Sequence, residues 1–326
     1  MLSLERQQGY PPKPARASLR RMPDPPFFLR PAHPSDAPAV VALRTLVFPF
    51  LVRSVGDVRQ QIATPPPGLH WAGFVAEVAG TLVGWVSACR NTYTAEAVGE
   101  ISLLHVHPGH RRRGIGAALL ARALAHLAPL DLVRLRGRAL PEALPFARRH
   151  GFTPSRPERF SARELRGLPP LATTPTGVRL RSLAEVDPRL VHRVEALASV
   201  DEPGDVVGGA IGYAEWRADT WDNVGLDRAA STGAEVDGEL VAISLLTRDG
   251  TRVWSDYTGT VPAYRGRGLA GLTKLAALHR AAADGATLAY TGNDAANAPM
   301  LAINDRLGYR PVATQWSCVR ELRPTR

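Results

Sequence analysis

The stretch HPGHRRRGIGAALLARALAHL, His107 to Leu127, returns in altered form as VPAYRGRGLAGLTKLAAL, Val261 to Leu278. In both copies a short apolar run ends at a proline (Pro108, Pro262). An Arg-rich turn with alternating small residues follows, and then Ala and Leu at helical spacing. Arg111-x-x-Gly114-x-Gly116 aligns with Arg265-x-x-Gly268-x-Ala270 at an offset of 154 residues. Strand, Gly-rich turn and helix together make an anion site. Glycine lets the backbone come close, amide N–H groups converge, and the helix start adds partial positive charge. The pattern predicts a diphosphate cradle, present twice.

Two more echoes extend the repeat to whole domains. Leu29-Arg30, Asp36 and Val40 return as Leu180-Arg181, Asp187 and Val191 at an offset of 151. His150-Gly151-Phe152 returns as Leu307-Gly308-Tyr309 at an offset of 157. A period near half of 326 residues means tandem domains rather than a solenoid. The expected boundaries are a mobile tail over 1–26, one domain over 27–166, a linker over 167–176 (RGLPPLATTPTG spans it) and a second domain over 177–326.

Within the first repeat, Phe27 to Arg30 reads as a strand and Ser35 or Asp36 as the cap of the next helix. Trp71 to Val78 and Thr81 to Ala88 form a hairpin around Ala79-Gly80, and Glu100 to His105 is the strand that delivers the turn. Leu132 to Arg138 and Phe152 to Leu165 complete the strands. The second repeat follows the same plan, with a hairpin at Asp237-Gly238, a strand from Trp254 to Thr260, another from Thr287 to Thr291 and a closing helix from Ala298 to Arg306. Trp216 to Trp221 reads as helical.

Composition narrows the function classes. Hydrophobic residues make up 45% and charged residues 21%, as in a globular protein. No apolar run reaches the ~18–20 residues of a membrane helix, and the N-terminus has no apolar core of a secretory signal. Two cysteines, Cys89 and Cys318, are too few for a disulfide framework or a thiolate zinc site, which suits the reducing cytoplasm. The net charge of +10 is uneven: residues 27–166 carry +9 and residues 177–326 carry −2. With Lys13 and Lys274 as the only lysines and no nucleic-acid module, a solvated Arg surface is favoured over a nucleic-acid face. His105, His107 and His110 crowd together, but no further ligand completes a metal site.

This order of elements, with Arg-x-x-Gly-x-Gly/Ala in context twice, resembles the GNAT superfamily of acyl-CoA-dependent N-acetyltransferases. Thr291-x-Asn293-x-x-x-Asn297-x-x-Met300-x-x-x-Asn304-x-x-x-Gly308-Tyr309 is similar to its bacterial tandem subgroup. The resemblance implies an α/β fold of two tandem domains, each a mixed, mostly antiparallel sheet flanked by helices. It implies acetyl-CoA as co-substrate, with Val106, Arg111, Arg112, Arg113, Gly114, Ile115 and Gly116 forming one cradle. Thr260, Val261, Arg265, Gly266, Arg267, Gly268, Leu269 and Ala270 form the other, and Asn293 or Asn297 meets the pantetheine arm. It implies direct acyl transfer to an amine, with a backbone N–H at the distorted end of the pre-cradle strand holding the oxyanion and a strand carboxylate taking the proton.

Glu100 and Asp256 are the carboxylates so placed. Where the family has a tyrosine acid, this chain has Ala147 and Asn304, so Asn304 joins the candidates and Tyr257 or Tyr290 could replace the missing acid. The Asn run, the acidic balance and the loop Asp201 to Asp205 point to chemistry in the second half, with the first half a structural or degenerate binder. The acceptor would be the amine of a small molecule or peptide, a cysteinyl amine on a thiol cofactor among them, and the chain a pseudo-repeated monomer. Two alternatives stand: an acyl-CoA sensor or scaffold without catalysis, and an NAD-dependent oxidoreductase, because Gly266-x-Gly268-x-x-Gly271 with Asp284 also fits a dinucleotide fingerprint.

Overall fold

Ala79 and Gly80 have φ of 47° and 76°, and Asp237 and Gly238 have 51° and 84°. Left-handed conformations at both central positions define the two-residue turns whose twist matches paired strands. They close the hairpins of β2 (Ala72–Val78) with β3 (Thr81–Asn91), and of β8 (Thr232–Val236) with β9 (Glu239–Asp249). The computed structural model describes residues 26–171, 174–205, 208–209 and 211–322. The predicted tail lies outside them except for Pro26, as do positions 172 and 173 of the predicted linker.

The first half continues from β1 (Phe27–Pro31) through α1 (Ala37–Val47), α2 (Val55–Ala63), β4 (Val98–Val106), α3 (Ile115–Leu127), β5 (Arg134–Ala139), α4 (Leu144–Arg149) and β6 (Thr153–Glu164). The second half repeats it with β7 (Val178–Ser182), α5 (Pro188–Ala198), α6 (Tyr213–Trp216), β10 (Arg252–Thr260), α7 (Leu269–Ala283), β11 (Leu288–Asp294), α8 (Ala298–Arg306) and β12 (Arg310–Glu321). Leu119, Leu120, Ala123 and Leu127 form the buried stripe that seats α3 on the sheet, and Thr273, Ala277 and Ala281 do the same for α7.

Among the described residues the strands form one twelve-stranded sheet, β1-β2-β3-β4-β5-β12-β6-β11-β10-β9-β8-β7. The halves therefore exchange their last strands. β12 pairs with β5 of the first half, β6 pairs with β11 of the second, and β6 and β12 pair with each other. Only β4/β5 and β10/β11 are parallel. Each of these pairs is in register for only a few residues, Val98 to Ile101 and Arg252 to Trp254, before the strands diverge. Two clefts open there, one in each half.

Several expectations change in detail. The turn before α1 is capped by the His33 imidazole, while Asp36 returns a bond to His33 N–H and pairs with Arg30 at 2.7 Å. Ser54 caps α2, a helix not read from the sequence, by accepting from Asp57 N–H at 3.0 Å. Trp216 to Trp221 is one α-turn followed by a π-turn over Arg217 to Trp221. Among the described residues no helix is long and apolar enough to cross a membrane.

Candidate active site

Both predicted Gly-rich turns form at the starts of helices. Gly114 and Gly268, with φ of 83° and 76°, cap the starts of α3 and α7. The first intrahelical bonds are Ala118 N–H to Gly114 C=O and Leu272 N–H to Gly268 C=O, both 3.0 Å. The amides before them have no carbonyl one turn back and remain available to an anion. Arg111 Nε donates to Val106 C=O at 3.2 Å, and Arg265 Nε to Thr260 C=O at 3.1 Å, so each signature arginine pins its own turn. The copies differ at Arg112 and Gly266: both are left-handed, at 65° and 76°, but only Gly266 adopts that conformation without side-chain strain.

Their surroundings differ more. A cavity of about 1470 Å³ lies between the halves, and Val106, Arg111, Arg112, Gly114, Ile115 and Gly116 line it. No residue of the second cradle does. Arg265 instead grips Asp201 of the acidic loop at 2.5 and 2.8 Å and donates to Ala198 C=O at 3.1 Å.

The clefts differ in the same sense. The second is bridged by side chains: Lys274 Nζ donates to Asn304 Oδ1 at 2.7 Å and lies 5.1 Å from the Tyr309 ring centroid. Thr291 Oγ1 donates to Ser255 C=O at 3.4 Å, and Ser255 Oγ meets Tyr309 OH at 3.1 Å. Lys274 and Asn304 are each 1% exposed, and burial pushes the lysine down to about 7. Asn304, the expected stand-in for the tyrosine acid, is thus sealed against the lysine and does not line the cavity. An ammonium can only donate, so Asn304 turns its oxygen to Lys274 and its nitrogen to Asn293 Oδ1, 2.7 Å away. That leaves the Asn293 NH₂ free for the cavity, which Asn293 and Asn297 both line. The matching layer of the first half holds Leu120, Gly137, Ala147 and Phe152, none with a polar side chain, and its cleft opens into the cavity.

Of the expected bases, Glu100 is 7% exposed and engaged, its Oε1 accepting from Asn91 Nδ2 at 2.8 Å and Arg136 Nε at 2.6 Å. Asp256 sits at a bulge of β10 between Ser255 and Tyr257, accepts from Trp254 Nε1 at 3.2 Å, and is accessible from the cavity. Desolvation in the cavity raises its carboxyl above its ordinary value, against the pull of Arg53 from the turn before α2. Two acids not singled out from the sequence accompany it. Glu195 of α5 accepts from Trp216 Nε1 at 2.9 Å, and desolvation pushes it up to about 7. Asp219 accepts from the Tyr93 hydroxyl of the first half at 2.9 Å. A carboxylate beside Val191, Val194 and Ala198 on the buried side of α5 was the available signal for Glu195. The β3/β4 ladder breaks between Trp85 and Ser87, where β4 carries Leu103 at φ 56°, so the strand before the first cradle is distorted as expected.

Neither expected substitute for the tyrosine acid is free in the cavity. Tyr257 OH donates to Glu195 C=O at 3.4 Å, and the Tyr290 ring packs 6.2 Å from that of Phe50. His107 Nδ1 accepts from Gly109 N–H at 3.2 Å as a turn cap, and among the described residues no group of three His, Cys, Asp or Glu side chains is placed to hold a metal. Asp284 ends α7 and is held by Arg248, not at the end of a strand where the dinucleotide alternative requires it.

A mostly antiparallel sheet with two splayed parallel pairs, each feeding a glycine-capped helix, defines a tandem GNAT-type acyltransferase. A model of the acetyltransferase (GNAT) family matches residues 40–152, which include the first cradle. The mycothiol acetyltransferase of a Nocardioides species is 34% identical over 233 residues, covering 66% of this chain and 78% of that protein. That of Rhodococcus opacus is 34% identical over 228 residues, 67% and 73% of the two chains. Two solved structures share the fold at a TM-score of 0.70. One is a GCN5-related N-acetyltransferase from Sphaerobacter thermophilus, 19% identical over 92% of this chain and 97% of that one. The other is a tandem GNAT protein from the clavulanic acid biosynthesis pathway, 22% identical over 92% and 100%. The chain belongs to the GNAT acetyltransferase family and is an acyltransferase.

Proposed function

We propose that the protein transfers an acetyl group from acetyl-CoA to a primary amine, with the donor in the first half and the acceptor against the second. The observation that carries this is that the first Gly-rich turn lines the shared cavity and the second does not. The sequence pointed to chemistry in the second half; the Lys274–Asn304 network across that cleft supports a donor in the first half instead. The Gly114–Gly116 amides and Arg111 would hold the diphosphate, and the free NH₂ of Asn293 faces the cavity as a donor to an amide carbonyl. The thioester supplies the acyl group.

The acceptor amine enters as a cation, which the acidic wall of Asp256, Glu195 and Asp219 attracts. Its proton must leave before attack. Glu195, raised by burial to about 7, can take up a proton and give it back near neutral pH, and Asp256, also raised by desolvation, stands beside it on the cavity wall. Glu100 is committed to Arg136 and holds the strand instead. Amides freed where β4 departs from β3 face the developing oxyanion. The relatives' printed name makes mycothiol-type acceptors the first to test.

Calorimetric titration of acetyl-CoA into the protein and its Gly114→Glu and Gly268→Glu variants tests the assignment. One site, lost with Gly114→Glu alone, is expected. Loss with Gly268→Glu alone would return the donor to the second half.

A further inference from the structure

The corner between α1, β3 and β4 holds more buried donors than acceptors. A Cβ on Gly84 would stand 2.9 Å from Leu119 and 3.1 Å from Ile115, so this part of β3 turns Gly84 toward α3. Its neighbour Trp85 faces the other way, toward α1, and His105 lies directly across from Trp85 on the same face. Arg44 projects from α1 into this corner and is 6% exposed. Its Nε and Nη2, His105 Nδ1 and Trp85 Nε1 are all buried and, among the described residues, have no hydrogen-bond partner. Arg44 and His105 line the cavity.

The charge is as unusual as the missing bonds. Arg44 feels Arg53 and Asp57, but Asp57 already accepts from Arg53 at 2.9 and 3.1 Å and from Asn223 at 3.1 Å. Among the described residues no carboxylate pairs with Arg44. Burial depresses the guanidinium to about 9, still a cation at neutral pH, and burial, aided by Arg44 and Arg111, keeps His105 neutral. A water molecule can complete a hydrogen bond here, but it cannot cancel a buried positive charge. A planar carboxylate can do both, because its two oxygens match the guanidinium fork.

We propose that this corner of the cavity is a subsite for a carboxylate, gripped by Arg44 with His105 beside it, carried by one of the two substrates of the transfer. The cavity is then bipolar, with a cationic floor from the first half and an acidic wall of Asp256, Glu195 and Asp219 from the second. Such a site suits an acceptor with an amine at one end and a carboxylate at the other, or a carboxyl-terminated acyl group on the donor. Only the choice of carrier rests on the acetyltransferase assignment; the anion subsite itself does not.

Thermal unfolding of the full chain and of Arg44→Met, with succinate or with sodium chloride at matched ionic strength, tests the subsite. Succinate is expected to stabilise the wild type saturably and not the variant, and the variant alone is expected to melt higher because an unpaired buried charge is gone. Equal responses to succinate, or a lower melting temperature for both Arg44→Met and Arg44→Gln, would overturn the proposal. Affinities for succinyl-CoA and acetyl-CoA, and KM values for amines with and without a carboxylate, identify the carrier. A tenfold or greater loss in Arg44→Met confined to succinyl-CoA assigns the donor, and one confined to the aminocarboxylate assigns the acceptor. Loss of neither would also overturn it. A protein that answers succinate but binds no acetyl-CoA keeps the anion subsite and loses the acetyltransferase assignment.

Discussion

Replacing Glu195 with glutamine should stabilise the protein and cripple it at once. The side chains are isosteric, and the glutamine oxygen can still accept from Trp216 Nε1, now 2.9 Å from the carboxylate. What changes is the cost of ionisation. Burial raises the carboxyl from 4.5 to about 7, so the folded protein loses about 3 kcal/mol relative to the unfolded chain once the group is charged. Below pH 4.5 both states are protonated and the penalty is absent; it grows from pH 4.5 to about 7 and is complete above that. With an unfolding entropy of roughly 2 cal/mol/K per residue, about 3 kcal/mol corresponds to roughly 5 °C for a chain of this length. Differential scanning calorimetry should find Glu195→Gln melting roughly 5 °C above the wild type at pH 8.5, and within about 1 °C at pH 4.5. Turnover should fall on the order of 10²-fold or more, the contribution of a positioned base. A stability gain that is the same at both pH values would refute the buried-carboxyl account, and full activity would remove Glu195 from the proton path.

Asp256→Asn should lower kcat by about 10² without lowering the melting temperature, whereas Glu100→Gln should leave kcat within a few-fold and lower the melting temperature by weakening the Arg136 and Asn91 contacts. The reverse pattern in kinetics and calorimetry would exchange their roles. Lys274→Met removes an amine held down to about 7, whose penalty is complete at neutral pH and vanishes as pH rises toward 10.5. The melting difference between this variant and the wild type should therefore shift toward the wild type from pH 7 to pH 10, and a flat difference would contradict the buried amine. Residues 27–166 and 177–322, expressed separately, should each be insoluble and become soluble when co-expressed, since each leaves an edge that the other's last strand covers. Gel filtration of the separate pieces as folded monomers would count against the exchange.

Much of the fold was legible because its signals are local. Arg-x-x-Gly turns, the pairs Ala79-Gly80 and Asp237-Gly238, and the Ala/Leu stripes of α3 and α7 fix their own geometry within a few residues. The strand exchange was not legible. β6 and β12 carry the same alternation whether they pair within their own repeat or across it, and β12 itself was missed behind Pro311. The site was half legible. Asp256 announces itself on the strand before a cradle. Glu100 occupies the matching strand, yet its role turns on Arg136, whose approach depends on the β4/β5 pairing. Lys274 had a faint signal, one of two lysines in a chain of arginines, set in an apolar helical run. What it does depends on Asn304, thirty residues away.

The exchange also explains why two similar halves need not do the same work. Joined at β12 and β6, they face each other across one cavity, so the wall of each site is built by the other half. Tyr93 reaches Asp219, Gln60 bonds Asp222 C=O and Val224 N–H, and Asp57 accepts from Asn223. A donor cleft in the second half is therefore not needed for the second half to serve the reaction. Its cleft can be filled with Lys274, Asn304 and Tyr309 for rigidity, and β10 and β11 can still present Asp256 and Asn293 to a ligand seated in the first. On the proposed assignment the charge division of the sequence, +9 against −2, has a physical meaning: anionic groups would bind on the half that carries the arginines, and the cationic amine would meet the half that carries the acids.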